Sequence, residues 1–473
     1  MDDSLNQIYA AFNPNKPATA DYYVDCGEAR GETGLAENFM RHLTRASASE
    51  DQYLRFLFSG HIGCGKSSEL RHLCHLLKNP STPFQPRYLP VLIDATDYID
   101  LFDVTLLDIL LAAVTEMAAT LREEFEYEIK DSYFKKRFKE IKDLFLTEVE
   151  LSKAEFDVLG TKLEFQRLKS NPDARREVRR RLEPHAERLT TEINRVFDEA
   201  RLVINRQTDS LGRPKYDDLI LIFDNLEKIA KFEKVEGDLE ANRELFIERY
   251  AQLTNLKVHT AFTISLRLAG SATDGSRLAN LYGQEPFVLP MIKVFERGSK
   301  QPYEKGIKRL NSLLEKRLGG LTLQQAFAPE ALEYLIKYSG GHSRYLVSFV
   351  QNASTYTDEL PISLSAMRKA VKQTAGMFAR SIPESPVNHW HLLAKLELSA
   401  SQQIVKGDGE YLKMLENLSV YEYLNGGSED EFTEAAPWYA VNPIVRELRT
   451  FKDAIAQLQT QSTGTQPVPE QSR

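Results

Sequence analysis

One short stretch of this chain has residue types and spacing suited to binding phosphate. It consists of Gly60, His61, Ile62, Gly63, Cys64, Gly65, Lys66 and Ser67, with Ser68 next, and it matches the pattern G-x-x-x-x-G-K-[ST] at every fixed position. Glycines let backbone N–H groups curl around an anion, and a helix that follows adds its partial positive charge. Lys66 can then reach the β- and γ-phosphates of a nucleotide, and the Ser67 hydroxyl can bind Mg²⁺.

The flanks of this stretch supply the strand–loop–helix context that the chemistry requires. Residues 53–58 are aromatic and apolar, which predicts a buried strand, and residues 67–78 carry apolar side chains at helical spacing. The competing interpretation is a chance match in a glycine-rich turn, and the flanks weigh against it.

A second apolar strand ends in a carboxylate. Residues 218–223 lead into Asp224, then Asn225, and Glu227 lies one turn further on. Asp224 is predicted to hold the Mg²⁺ shell, directly or through water. Glu227 is the carboxylate best placed to orient and deprotonate an attacking water. An apolar strand that ends in Asp is common, so the prediction depends on its pairing with the phosphate-binding stretch.

Two further side chains complete the candidate site. Thr263, near the end of a predicted strand at 258–265, is expected beside the γ-phosphate; the alternative is that it only satisfies strand-end hydrogen bonds. In Ser339–Arg344 two glycines end one helix and another begins. Arg344 would project from its first turn toward a nucleotide, unless it is an ordinary exposed arginine.

Other segments predict the elements that position these residues. Two more strands are predicted, one at 88–94 and one, at a sheet edge, at 285–290. A helical lid is predicted from four helices, at 303–318, 328–339, 343–355 and 363–376. Helices at 388–398 and 409–418, then strands at 420–424 and 438–441, predict a winged helix. Its loop Ser428–Glu431 is acidic, as is Glu434, which favours protein over DNA as its contact.

Residues 122–207 are dense in charge and predicted to be a mostly helical insertion, with 155–165 extended or a hairpin. The cluster Arg175–Arg181 within it could touch phosphates or a partner, but a solvated helix face with interleaved glutamates is favoured. Residues 460–473 are polar and are expected to be disordered.

Composition restricts the class of protein. The 473 residues are 42% hydrophobic and 27% charged, with a net charge of −8, and no apolar run approaches the roughly 20 residues that span a bilayer. The N-terminus is acidic, unlike a secretory signal. Three cysteines without metal-ligand spacing suggest a reduced, cytoplasmic compartment.

The chain resembles the AAA+ and STAND P-loop ATPases in Gly60–Ser67, Asp224 with Glu227, Thr263 and Arg344. The resemblance is closest to their origin-recognition-like branch and to bacterial signalling and antiphage ATPases. The resemblance implies an α/β fold whose parallel five-stranded sheet has the P-loop strand in the middle, a helical lid, and ATP with Mg²⁺ bound between them. It also implies that Thr263 is the first sensor and Arg344 the second, and that subunits assemble.

Two features depart from that family. Most AAA+ proteins have the catalytic Glu directly after the Asp, where this chain has Asn225, so hydrolysis is expected to be slow. No arginine is marked out as a finger for a neighbouring subunit; the candidates are Arg267, Arg277, Arg309 and Arg317.

The predicted organisation is an N-terminal arm (1–35), an AAA+-like nucleotide-binding domain (36–295) with the insertion, a lid (296–380), a winged-helix-like domain (386–452) and the tail. The favoured function is an ATP-binding and slowly hydrolysing switch that acts through a homo-oligomer or a separate effector protein, as in antiphage defence. Two alternatives stay open: a DNA-binding ATPase of the loader or transposition-regulator kind, with nucleic acid not favoured, and a scaffold that holds nucleotide without hydrolysis. No membrane partner is expected.

Overall fold

The computed structural model of the chain describes residues 3–31, 34–47, 52–80, 85–100, 104–126, 186–208, 212–229, 241–299, 301–404, 407–425 and 437–463. The strands are β1 (Arg55–Gly60), β2 (Tyr88–Asp94), β3 (Asp218–Asp224), β4 (His259–Thr263), β5 (Phe287–Leu289), β6 (Val420–Leu424) and β7 (Pro437–Val441).

The helices, in chain order, are α1 (Asp3–Ala11), α2 (Gly27–Arg30), α3 (Leu35–Ser47), α4 (Lys66–Lys78), α5 (Ala95–Tyr98), α6 (Leu106–Phe125), α7 (Ala186–Arg206), α8 (Tyr250–Thr254), α9 (Leu266–Gly270), α10 (Ala272–Tyr282), α11 (Glu304–Glu315), α12 (Leu323–Ala326), α13 (Pro329–Ser339), α14 (Ser343–Ser354), α15 (Leu364–Ser381), α16 (His389–Leu398), α17 (Gly409–Glu416) and α18 (Arg449–Thr463). Short 3₁₀ turns lie at Ala20–Tyr22, Leu226–Lys228 and Val445–Glu447, and a π-helical turn at Glu244–Glu248.

A five-stranded sheet has the order β2-β3-β4-β1-β5. The pairs β2–β3, β3–β4 and β4–β1 are parallel. All residues of β1 and β4, and all but the first of β3, are buried, because both faces of the sheet are covered. The predicted α/β class and five-stranded sheet are confirmed, with β5 at the edge. The P-loop strand β1 was expected in the middle; it lies between β4 and β5, and β4 takes the middle position because it pairs with both β1 and β3.

The described chain divides into two compact units. The sheet unit consists of Leu35–Ser59 and Glu69–Val288, and the phosphate-loop unit consists of Met1–Gly34, Gly60–Ser68 and Leu289–Arg473. The second unit therefore combines three separate stretches of chain, and one of them is the phosphate-binding stretch.

The core of the sheet unit lies between the sheet and the helices α6 and α7. A capping box of Thr105 and Asp108 begins α6, which buries apolar residues on most of its circumference. Phe223 and Phe262 stack at a centroid distance of 5.0 Å across β3 and β4. Each large apolar side chain buried here stabilises the fold by about 1.5–3 kcal/mol.

In the phosphate-loop unit the predicted lid helices correspond to α11, α13, α14 and α15. Gly340, with φ +57°, ends α13 in the left-handed conformation that glycine allows. The C-terminal region has the helices α16 and α17, the antiparallel pair β6–β7 and then α18. This is the element order predicted for a winged helix, and α18 continues to Thr463.

Several sequence predictions lie outside the described residues. They are most of the insertion (127–185) with its segment 155–165 and its cluster Arg175–Arg181, the acidic loop Ser428–Glu431 with Glu434, and the tail from 464 onward. None of the helices in the described ranges combines the length and the apolar character that crossing a bilayer requires.

Candidate functional site

The phosphate loop, Gly60–Ser68, has the conformation that its glycines predict. Gly60, Gly63 and Gly65 have φ angles of +149°, +82° and +115°, which residues with a Cβ rarely adopt. A Cβ on Gly63 would lie 2.8 Å from His342 Cε1, so the loop has no room for one. Because α4 begins at Lys66, a helix N-terminus directly follows this cradle, as an anion site requires.

The Lys66 side chain folds back onto its own loop. Its ammonium donates to the carbonyl oxygens of Gly60 at 2.8 Å and His61 at 3.1 Å, and the residue is only 4% exposed. The N–H of Cys64 also donates to His61 O, at 3.2 Å. Lys66 therefore donates to two carbonyls of the loop, and that of His61 has the Cys64 N–H as a second donor.

Two further loop carbonyls, those of Gly63 and Cys64, are bound by the first turn of α14. The Arg344 N–H donates to Gly63 O at 3.1 Å, and the Ser343 hydroxyl donates to Cys64 O at 3.2 Å. Arg344, which the sequence predicted to be near the nucleotide, thus lies against the phosphate loop: its Nε is 3.1 Å from where a Gly63 Cβ would be.

His342, which the sequence analysis did not single out, caps α14 and contacts the loop as well. Its Nδ1 accepts from the Tyr345 N–H at 3.1 Å, so Nε2 carries the proton and donates to Ile62 O at 2.8 Å. Burial lowers the pKa of His342 to about 3, so the ring stays neutral and keeps this tautomer. Its position directly after Gly341 was the signal that could have identified it.

Arg30 is a second residue that the sequence reasoning missed. It ends α2, is 5% exposed, and donates from Nη2 to Cys64 O at 2.8 Å and from Nη1 to Pro290 O. A buried guanidinium beside a phosphate cradle adds positive charge to the site. The sequence offered only a weak signal, an arginine between Gly27 and Gly31.

A cavity of about 520 Å³ adjoins the start of α4 in the same unit. It is lined by the N-terminal arm, including Pro17, Thr19 and Tyr22, and by Arg317 after α11. Ala18, between two of these residues, donates its N–H to the Ser68 hydroxyl at 2.9 Å. The cavity is of the size that small-molecule sites have.

The carboxyl edge of the sheet holds the other predicted residues. Asp224 ends β3, and Asn225 follows with φ +67° and donates its N–H to Asp224 Oδ1 at 2.8 Å. The Leu226 N–H donates to Thr263 Oγ1 at 2.9 Å, which joins the end of β4 to the turn that carries Glu227. The structure therefore brings together Asp224, Glu227 and Thr263. Thr263 also makes a hydrogen bond at the strand end, which was the alternative role predicted for it.

Asp94 is a further carboxylate at this edge. It ends β2, in register with Asp224, and its Oδ1 accepts from Asn225 Nδ2 at 2.8 Å and from the Thr96 hydroxyl at 2.6 Å. Asn225 is thus fixed by a neighbouring strand. The signal was available in the sequence, since β2 ends in Asp as β3 does.

The donor chemistry fits Mg²⁺. This ion prefers oxygen ligands and commonly uses one or two protein oxygens together with substrate phosphates. The phosphate-loop unit offers such an oxygen in the Ser67 hydroxyl, and the sheet unit offers one in the Asp224 carboxylate. Within the described residues no group of three or more His, Cys, Asp or Glu is arranged to hold a metal by protein ligands alone.

The arginine-finger candidates have different surroundings. Arg317 is buried, donates to Tyr22 O at 3.3 Å and lies 5.1 Å from the Tyr22 ring. Arg309 lies 3.7 Å from Glu28, and Arg277 is exposed on α10. Arg267, in α9, is partly buried.

No protein-family model matches the chain, and no curated protein sequence matches it. The chain is similar to the solved structure of Cdc6p from Pyrobaculum aerophilum, at 12% identity and a TM-score of 0.37, with 95% of this chain and 98% of that chain covered. It is similar to the Aeropyrum pernix ORC1 protein in complex with DNA, at 11% identity and a TM-score of 0.37, covering 96% and 97%. It is also similar to the Aeropyrum pernix ORC2 protein in its ADPNP–ADP complexes, at 12% identity and a TM-score of 0.40, with 95% of this chain and 98% of that chain covered. Identities and TM-scores of this size describe a distant likeness.

Proposed function

We propose that the chain is an ATP-driven switch that binds ATP with Mg²⁺, hydrolyses it slowly, and controls self-assembly or a protein partner through its nucleotide state. The observation that supports this best is the hydrogen bonding of the phosphate loop to the first turn of α14. Because Gly63 and Arg344 share these contacts, an anion that reshapes the loop changes the contacts of the lid. Such differential interaction is what a switch requires.

Binding of the phosphates is assigned to the phosphate-loop unit. The loop N–H groups and Lys66 bind the β- and γ-phosphates, and Arg344 binds the γ-phosphate when it is present. Arg30 adds charge beside Cys64. Ser67 and Asp224 are the residues that would hold Mg²⁺, which would neutralise phosphate charge.

Hydrolysis is assigned to the carboxyl edge of the sheet. Glu227 accepts a proton from the attacking water, and Thr263 orients that water through its hydroxyl. Asn225 cannot take a proton as a glutamate would, and its amide is already bonded to Asp94. Slow turnover is the expected consequence.

Replacing the proposed base separates binding from chemistry. Glu227→Gln should keep ATP affinity within about twofold and lower phosphate release by about 100-fold or more, since a general base contributes roughly 10²–10⁴-fold. Both are measurable, by displacement of a fluorescent ATP analogue and by a coupled phosphate assay. Glu285→Gln, at an exposed carboxylate before β5, is the matched control. Turnover that survives in Glu227→Gln would place the base elsewhere.

Replacing the proposed γ-phosphate contact tests the switch itself. Arg344→Ala should lower affinity for ATP by about 10-fold and leave affinity for ADP unchanged, because a charge-assisted hydrogen bond contributes about 1.5–3 kcal/mol. Mass photometry should show different assemblies of the wild type with ATP and with ADP, and the same assembly of Arg344→Ala with both. Arg380→Ala, an exposed arginine of α15, is the control. A variant that still distinguishes the two nucleotides would contradict the assignment.

A DNA-binding ATPase is a second candidate, because α16, α17 and the pair β6–β7 have the order of a winged helix. The acidic loop argues for a protein contact, since phosphate contacts need basic residues. A gel shift of duplex DNA at low salt, with and without ATP, decides between them. Retention that falls as salt rises would favour DNA binding.

The third possibility is a scaffold that holds nucleotide permanently. Nucleotide that copurifies with the wild type, with no phosphate release, would favour it over the switch. An output through a separate effector protein, as in antiphage defence, rests on the family resemblance alone.

A further inference from the structure

We infer that His61 is a positioning residue that couples the phosphate loop to the C-terminal strand pair β6–β7, so that a nucleotide in the loop changes the surroundings of that pair. The inference rests on the proposed nucleotide binding. His61 occupies a variable position of the phosphate-binding pattern, yet its side chain faces protein, whereas its neighbour Ile62 is 40% exposed.

Both nitrogens of the His61 ring are bound to the C-terminal region. Nδ1 lies 3.0 Å from Leu415 O and must carry the proton, while Nε2 accepts from the Glu422 N–H at 2.9 Å. His61 is 1% exposed, and burial with the nearby charge of Lys66 lowers its pKa to about 3. The imidazole therefore stays neutral, in the one tautomer that makes both bonds.

Tyr421 contacts both His61 and His342, the lid residue that binds the next residue of the loop. The Tyr421 ring meets His61 edge-on at a centroid distance of 6.0 Å and stacks on His342 at 5.9 Å with an interplanar angle of 13°. His342 in turn donates to Ile62 O. Two consecutive residues of the loop are thus anchored, by different routes, on one residue of β6.

Tyr421 has little freedom to move alone. Its hydroxyl accepts from Asn442 Nδ2 at 2.9 Å, and its Cε2 is 2.7 Å from where a Gly340 Cβ would be. The neighbouring Tyr423 donates its hydroxyl to Gly340 O at 2.7 Å. Displacement of the loop at His61 therefore moves β6 as well, because a close-packed junction transmits strain.

The chain contains a reporter of this movement. It has two tryptophans, and Trp438 of β7 stacks on Tyr423 at 4.5 Å and donates from Nε1 to Asn425 Oδ1 at 3.1 Å. Trp390→Phe, in α16, leaves Trp438 as the sole tryptophan. Its fluorescence then reports on the strand pair alone.

The test titrates the full-length Trp390→Phe protein with Mg²⁺-ADP and with a non-hydrolysable ATP analogue. We expect a saturable change of Trp438 emission. His61→Leu on this background should bind nucleotide about 10-fold more weakly, by isothermal titration calorimetry, and lose at least four-fifths of the emission change at saturation. A merely structural role would lower stability and affinity but keep the change at saturation.

Further variants keep the result interpretable. His61→Gln, whose amide can donate and accept, should recover part of the change, and His75→Leu, at an exposed histidine of α4, should behave as the parent. Far-UV circular dichroism checks the fold of each variant. The inference is overturned if nucleotide binds to the parent without any change in Trp438, or if His61→Leu keeps the full change. Absence of binding to the parent would refute the proposed function and the coupling with it.

Discussion

Replacing Lys66 with alanine should lower affinity for both ATP and ADP by at least about 100-fold, or about 2.8 kcal/mol. Two losses combine. The ammonium no longer contributes charge-assisted hydrogen bonds to phosphate, each about 1.5–3 kcal/mol. The carbonyls of Gly60 and His61 also lose the buried ammonium as a donor, and that of His61 keeps only the Cys64 N–H, so the loop itself relaxes. Isothermal titration with each Mg²⁺-nucleotide measures the effect.

Two further variants control for the lost side-chain volume and for the removal of a lysine elsewhere. Lys66→Met keeps most of the side-chain volume without the charge and should be nearly as defective. Lys372→Ala, at an exposed lysine of α15, should bind as the wild type does. Normal nucleotide affinity in Lys66→Ala would refute the assignment of the phosphate loop, whatever the other residues do.

The largest effect on stability is expected from Gly341→Ala. A Cβ there would lie 1.7 Å from Ile292 O, a backbone atom that cannot rotate away, and the residue has φ +77°. A left-handed conformation costs an alanine about 1–2 kcal/mol, and overpacking adds about 1–3 kcal/mol. We therefore expect unfolding free energy to fall by about 4 kcal/mol, measured by urea denaturation.

Gly298→Ala supplies the matched control. Gly298 has a similar φ of +71° but nothing within 4 Å of its would-be Cβ. It should therefore show only the conformational cost of about 1–2 kcal/mol. Equal losses in the two variants would mean that Ile292 moves aside readily. Because Gly341 precedes the turn that binds the loop carbonyls, nucleotide affinity should also fall in Gly341→Ala alone.

Features that are local in sequence were predicted well. The strand 218–224 was predicted with its observed limits because five apolar residues end in a carboxylate, and the glycine pair Gly340–Gly341 correctly marked the boundary between α13 and α14. In each case the residues that determine the conformation lie within a few positions of one another. Hydrophobic runs and left-handed glycines need no knowledge of distant partners.

The contacts of the site could not be predicted in the same way. His61 was only a variable position in a pattern, because its partners Leu415 and Glu422 belong to a region of unrelated local sequence. Arg30 donates to the carbonyl oxygens of Cys64 and Pro290, and no pattern in the sequence around Arg30 predicts these contacts. Asp94 gains its role from the register of β2 with β3, and register depends on the assembled sheet.

The partners of the phosphate loop have a consequence for how the protein matures. Ile62 and His342 are 280 residues apart, and His61 and Glu422 are 361 residues apart. Contacts of such separation close long loops and form late in folding. A nascent chain carries the whole phosphate-binding sequence long before it acquires the partners that shape it, because these include residues of β6. Competence to bind nucleotide should therefore signal that β6 has been translated.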